Sequence, residues 1–154
     1  MFSSWGSGLV EVNGNTITNV YNTTNSSLQE TMHDVGSGSV FVAGLAYDED
    51  DNLWVTNSHN TDYQLHVRTS GGTWQGFNLF STLGSDRLLL GDIIIDDSQQ
   101  KWIILPRNKG ILVYTDNETP TDPSDDQSIL LKSTEDLGNL PSENVFAIAK
   151  DLDG

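Results

Sequence analysis

The sequence predicts an all-β chain built from repeated four-stranded sheets, and three observations carry that prediction. The first is an internal repeat. Ala43-Gly44-Leu45-Ala46-Tyr47-Asp48, then four residues, then Leu53-Trp54-Val55 aligns without gaps with Gly91-Asp92-Ile93-Ile94-Ile95-Asp96, four residues, and Lys101-Trp102-Ile103. Trp54 and Trp102 are 48 residues apart, as are Asp48 and Asp96. The second is a further match at an offset of 102, between Trp5–Val12 and Arg107–Tyr114. The third is texture: short runs of β-branched and aromatic residues, separated by clusters of Gly, Asn, Asp and Ser, read as strands and turns. Four antiparallel strands repeating about every 45–50 residues form the pattern of a β-propeller blade. The predicted fold is therefore a β-propeller fragment with about two complete blades and partial blades at each end.

Taken in order, residues 1–39 are expected to form an incomplete blade, 40–89 a blade, 90–143 a blade and 144–154 the first strand of the next. In the first full blade the strands are placed at Val40–Tyr47, Leu53–Asn57, Gln64–Thr69 and Thr73–Leu79. In the second they are placed at Gly91–Asp96, Lys101–Leu105, Gly110–Thr115 and Ser128–Ser133. Asp48-Glu49-Asp50-Asp51-Asn52 and Asp96-Asp97-Ser98-Gln99-Gln100 read as hairpin loops, and Ser70-Gly71-Gly72 as a third turn. Helix signals are weak. Ser133–Leu140 admits a short turn that Pro141 would end. A third copy of the repeat, Val145–Gly154, stops three residues before its tryptophan, so the chain reads as a piece of a longer one whose exposed blade faces would aggregate in isolation.

Composition narrows the function. With 22 acidic and 7 basic residues, the formal net charge is −15. Such a chain repels phosphate backbones, so nucleic acid is not an expected partner. There is no cysteine, which excludes disulfides, thiolate metal sites and cysteine nucleophiles. No apolar run approaches the roughly 20 residues of a membrane helix. Met1-Phe2-Ser3-Ser4-Trp5 shows no signal-peptide pattern.

The segment Ala46-Tyr47-Asp48-Glu49-Asp50-Asp51-Asn52-Leu53-Trp54-Val55-Thr56-Asn57 resembles the two-component-regulator type of propeller repeat. That repeat runs from a hydrophobic strand through Asp-x-x-Gly-Asn-Leu-Trp-Ile-Gly-Thr to a glycine before the next strand. Lys101-Trp102-Ile103, Gly110-Ile111-Leu112-Val113 and Ile148–Gly154 fit the same pattern. Asp51 stands where the family has glycine, and Ile104-Leu105-Pro106 replaces Gly-Thr. Leu105–Tyr114, followed by Asp116–Pro120 and Asp125-Asp126, further resembles the PorZ-like surface propeller proteins of the Bacteroidota type IX secretion system. That resemblance implies an extracytoplasmic, cell-surface location. It also implies anionic lipopolysaccharide or glycan and other secretion-system proteins as partners. The same repeat also builds the periplasmic glycan-sensing half of hybrid histidine kinases, which is the alternative function. A propeller lyase or glycosidase would need a defined pair of carboxylates, and none stands out.

Several residues invite chemistry. Asp48-x-Asp50-x-Asn52 begins like a calcium loop, but Leu53 and His59 stand where an EF-hand needs glycine and glutamate. A solvated hairpin is expected instead. The acidic insertion Asp116–Asp126 reads as a disordered surface loop. His33, His59 and His66 lack any second histidine at ligand spacing, so no metal or cofactor is expected. His66 alternates with Leu65 and Val67 and is expected to face solvent. Trp54 and Trp102 are expected between blades. Trp5 and Trp74 are freer to be exposed, Trp74 more as an outer-strand packing residue than as a sugar platform. No nucleophile elbow, P-loop or dinucleotide motif is present, so no catalytic residue is assigned and a non-enzymatic module is expected. The candidate ligand residues lie in the loops joining strands two to three and four to one: Asn57, His59, Arg87, Arg107, Asn108 and Lys109. Arg87, Arg107 and Lys109 are three of only seven basic residues. Grouped on one face of an acidic chain, they would suit an anionic sugar.

Overall fold

The computed structural model describes residues 1–60, 62–84 and 89–151. Eleven strands form among them: β1 (Phe2–Gly6), β2 (Gly8–Asn13), β3 (Thr16–Tyr21), β4 (Val40–Tyr47), β5 (Leu53–Ser58), β6 (Leu65–Arg68), β7 (Trp74–Phe77), β8 (Ile93–Ile95), β9 (Lys101–Leu105), β10 (Gly110–Thr115) and β11 (Gln127–Leu131). All ladders are antiparallel. β4–β7 and β8–β11 are two four-stranded meanders, and β1–β3 is a three-stranded one. β1 also pairs with β4 through Trp5↔Phe41, which joins the first and second sheets into seven strands. The chain is all-β, a propeller fragment whose sheets stand side by side.

The repeat has a concrete geometry. The Asp48 carboxylate braces its own hairpin. Oδ1 accepts from the N–H of Asp50 (3.1 Å) and Asn52 (2.8 Å), and Oδ2 from Asn52 Nδ2 (3.0 Å) and Trp54 Nε1 (2.9 Å). Asp96 does the same for the N–H groups of Ser98 and Gln100 and for Trp102 Nε1 (2.8 Å). Repetition at 48 residues thus marks a turn and its tryptophan, held by the same acceptor. Asp51 and Gln99, also 48 apart, both adopt left-handed φ of 61°, the conformation for which the family repeat uses glycine.

Gly8 and Gly110, 102 residues apart, open the equivalent strands β2 and β10 at φ 86°. A Cβ on Gly110 would lie 2.0 Å from the Leu131 carbonyl oxygen, and one on Gly8 would lie 2.2 Å from that of Tyr21. Both a strained φ and a backbone clash oppose any side chain here. Gly110→Ala is expected to destabilise the chain by about 1–3 kcal/mol, read as a lower urea midpoint; an unchanged midpoint would contradict the close approach.

The second sheet buries both faces. On β5, Trp54 points to the third sheet and packs with Phe77, Ile103, Leu112 and Tyr114, its ring 5.5 Å from Phe77 and 5.9 Å from Tyr114. Leu53 and Val55 point the other way and pack with Leu9, Leu28, Val40 and Val42. Polar bonds stitch the second and third sheets. Gly44 N–H donates to Thr56 Oγ1 (2.7 Å), which donates to the Gly91 carbonyl (2.9 Å). Ser58 Oγ donates to the Leu90 carbonyl and accepts its N–H.

Some expectations need correction. His66 does not face solvent: it is 0% exposed. Alternation does turn it away from Leu65 and Val67, but the second sheet is covered on that side too. Its Nδ1 lies 2.7 Å from Ser27 Oγ in the β3–β4 connection, and its Nε2 lies 3.0 Å from the Tyr63 carbonyl. The insertion 116–126 is folded, because Asp116 is buried against Lys101 and Thr119 Oγ1 bonds to both the Asp116 carbonyl and Asp125. A one-turn helix at Phe80–Leu83, closed by Gly84 in the left-handed region, had no sequence signal. The turn within Ser133–Leu140 is a 3-10 turn at Glu135–Leu137. Trp54 is fully buried, whereas Trp102 is half-buried. Residues 148–151 run past Trp102 and Ile94, and Lys150 is ion-paired to Asp97.

Candidate ligand-binding face

The turns after β1, β5 and β9 fall at equivalent places in the sequence repeat. Trp5, at the end of β1, and His59 and Arg107, in the turns after β5 and β9, stand at equivalent positions of the repeat. Trp5 is 55% exposed, and its ring stacks on Phe41 of β4 at 4.5 Å and 14°. His59 stands edge-on to both rings, 6.4 Å from Trp5 and 6.1 Å from Phe41. His33, from the β3–β4 connection, meets the His59 ring at 4.6 Å and 68°. The His59 backbone is fixed in the left-handed region (φ 56°), and its carbonyl accepts the Met32 N–H at 2.7 Å. Arg107 and Asn108 are exposed and left-handed as well, with φ of 62° and 60°.

The electrostatics of His59 define the face. Burial pushes its imidazole below the usual range, and the charges of His33 and Arg107 push it the same way. The charged groups acting on it are therefore cations, in a chain of net charge −15.

The sequence-predicted residues divide. His59 and Arg107 come together. Asn57 is fully buried, and its amide is spent on the Gln29 N–H (2.6 Å) and the Phe41 carbonyl (3.2 Å). It braces the loop rather than meeting a ligand. Asn108 is exposed beside Arg107. Lys109 precedes Gly110, whose N–H donates to the Glu143 carbonyl at 3.0 Å, and its charge acts on the Glu143 carboxyl. The Ser133 hydroxyl and N–H hold that carboxyl below its usual range, and Lys132 and Lys109 add to the effect. Arg87 lies outside the described residues. Trp5, Phe41 and His33 were not among the candidate ligand residues, because they meet His59 only through packing of the first sheet and its connection on the second. Among the described residues, no three carboxylate or histidine groups gather at metal-binding range, and no helix is long and apolar enough to cross a membrane.

Comparison with solved structures adds a relative in shape. The chain is similar to PorZ. A solved structure described as PorZ, an essential bacterial surface component of the type IX secretion system of Porphyromonas gingivalis, superposes with a TM-score of 0.69 at 24% identity. The match covers 82% of this chain and 17% of PorZ, so the chain spans about a sixth of that protein's length. Similarity at this level to PorZ shows the fold. No protein-family model and no curated protein matches the chain.

Proposed function

We propose that the chain is part of a non-enzymatic, cell-surface propeller module of the PorZ kind, working beside other secretion-system proteins and taking an anionic glycan such as lipopolysaccharide on the face described above. The observation that carries this reading is the grouping of His33, His59 and Arg107 beside the exposed Trp5, in a chain otherwise dominated by carboxylates. An indole face packs a sugar ring, and the cations meet its acid groups. The shape shared with PorZ supports the surface role.

Binding of a sulfated maltohexaose and of neutral maltohexaose, measured by calorimetry, tests it. The sulfated sugar is expected to bind and the neutral one to bind far more weakly. Trp5→Ala and Arg107→Ala are each expected to weaken binding about tenfold, whereas Lys109→Ala, beside Glu143, changes it little. Equal affinity for both sugars would overturn the reading.

A further inference from the structure

We infer that the His33–His59 pair makes this face an acid-strengthened anion site, weaker at neutral pH and tightening on its ligand as the two imidazoles take up protons. The inference rests on the anionic-glycan reading and adds its regulation.

The geometry sets up the coupling. Two imidazoles whose centroids are 4.6 Å apart repel each other once both are charged, and Arg107 adds to that repulsion. The His59 ring has little freedom to escape, whereas His33 is exposed. His59 is held by its backbone bond to Met32 and walled by Trp5 and Phe41. The His33 N–H donates to Thr31 Oγ1 at 3.2 Å, and the Thr31 N–H is tied to the Ser39 carbonyl. An anion seated between the rings and Arg107 relieves the repulsion. Proton uptake and anion binding therefore favour each other, and the coupling must be reciprocal.

The surrounding groups agree with this arrangement. β1 and β4 contribute the uncharged rings of Trp5 and Phe41. The β9–β10 turn contributes Arg107. The β3–β4 connection contributes His33 together with Glu30 and Asp34. Glu30 Oε1 accepts the Gly38 N–H at 2.6 Å, and the charges that act on His59 are those of His33 and Arg107 rather than those of Glu30 or Asp34. His59 sits below the usual imidazole range for burial first and for the two cations second. Its charging thus requires more acid than an ordinary imidazole needs.

A sulfated maltohexaose, whose own charge is constant between pH 5 and 7.5, is the probe. At fixed ionic strength the wild-type chain is expected to bind it about tenfold more tightly at pH 5 than at pH 7.5. His33→Gln and His59→Gln should each shrink that ratio, and the double variant should abolish it. Proton NMR of the wild-type imidazoles supplies a readout that needs no variant: saturating sugar should raise the His59 midpoint by about one pH unit, the same tenfold read from the other side. Binding that does not change with pH, or a pH dependence that survives in the double variant, would overturn the inference while leaving the glycan reading intact. Absence of binding at every pH would overturn both.

Discussion

Asp116→Ala is expected to cost about 3–5 kcal/mol of stability, because it strands a buried ammonium. Lys101 is 1% exposed. Its Nζ lies 2.5 Å from Asp116 Oδ1 and 4.2 Å from the centroid of Trp54 across the sheet boundary. Removing the carboxylate leaves a charge with no water and no partner except a ring face. The repeat itself names the rescue. The equivalent position one repeat earlier is Leu53, which is buried at 1% with no ion. Lys101→Leu combined with Asp116→Asn is therefore expected to restore most of the loss, since a packed apolar side chain often matches or exceeds a buried ion pair. Urea unfolding of the three chains checks this. A single Asp116→Ala variant within about 1 kcal/mol of wild type would mean that the pair behaves like a surface bridge.

The second large effect is on acid stability. Burial drives the His66 imidazole from 6.5 down to about 3, against a smaller opposing pull from the Tyr63 carbonyl. The folded chain therefore holds His66 neutral while the unfolded chain protonates it. A group whose folded pKa is depressed supports the fold fully above its unfolded pKa. That support is lost as pH falls from about 6.5 toward 3, at about 1.4 kcal/mol per pH unit. The loss by pH 4.5 amounts to a few kcal/mol. His66→Gln should flatten the stability profile between pH 7 and 4.5 relative to wild type, even if it lowers the whole curve. In the wild type, imidazole nitrogen shifts should show a neutral ring down to pH 4.5, with Nε2 donating to Tyr63 and Nδ1 accepting from Ser27. A ring that protonates near pH 6.5 in the folded chain would contradict the burial argument.

The parts legible in the sequence were those fixed by local hydrogen bonding. Asp48 and Trp54 are six residues apart, as are Asp96 and Trp102, and each pair is closed by one bond within one hairpin. A fixed spacing is all that such a device needs, so it shows in the repeat. His66 illustrates what spacing hides. Alternation gives the side of the strand correctly but not what lies there, and in a stack of sheets the side away from the apolar residues is another neighbour instead of water. The candidate face divides on the same line. His59 and Arg107 were legible as loop residues at equivalent positions. His33 was not, because its contact with His59 depends on how a connection packs over the second sheet. Lys101 was visible as a strand residue, but its burial depends on Asp116, at the start of an insertion that composition alone reads as solvated.

The ion pair above the Trp54 ring also has a consequence for assembly order. Modules of the same fold in one polypeptide risk docking in the wrong sequence, as interchangeable bricks do. Leucine at this position would tolerate many neighbours, but an ammonium demands a particular one, a sheet that presents an open indole face where Trp54 stands. The charge thus labels this boundary, and a misplaced module would have to bury the Lys101–Asp116 pair without the indole face that covers it here.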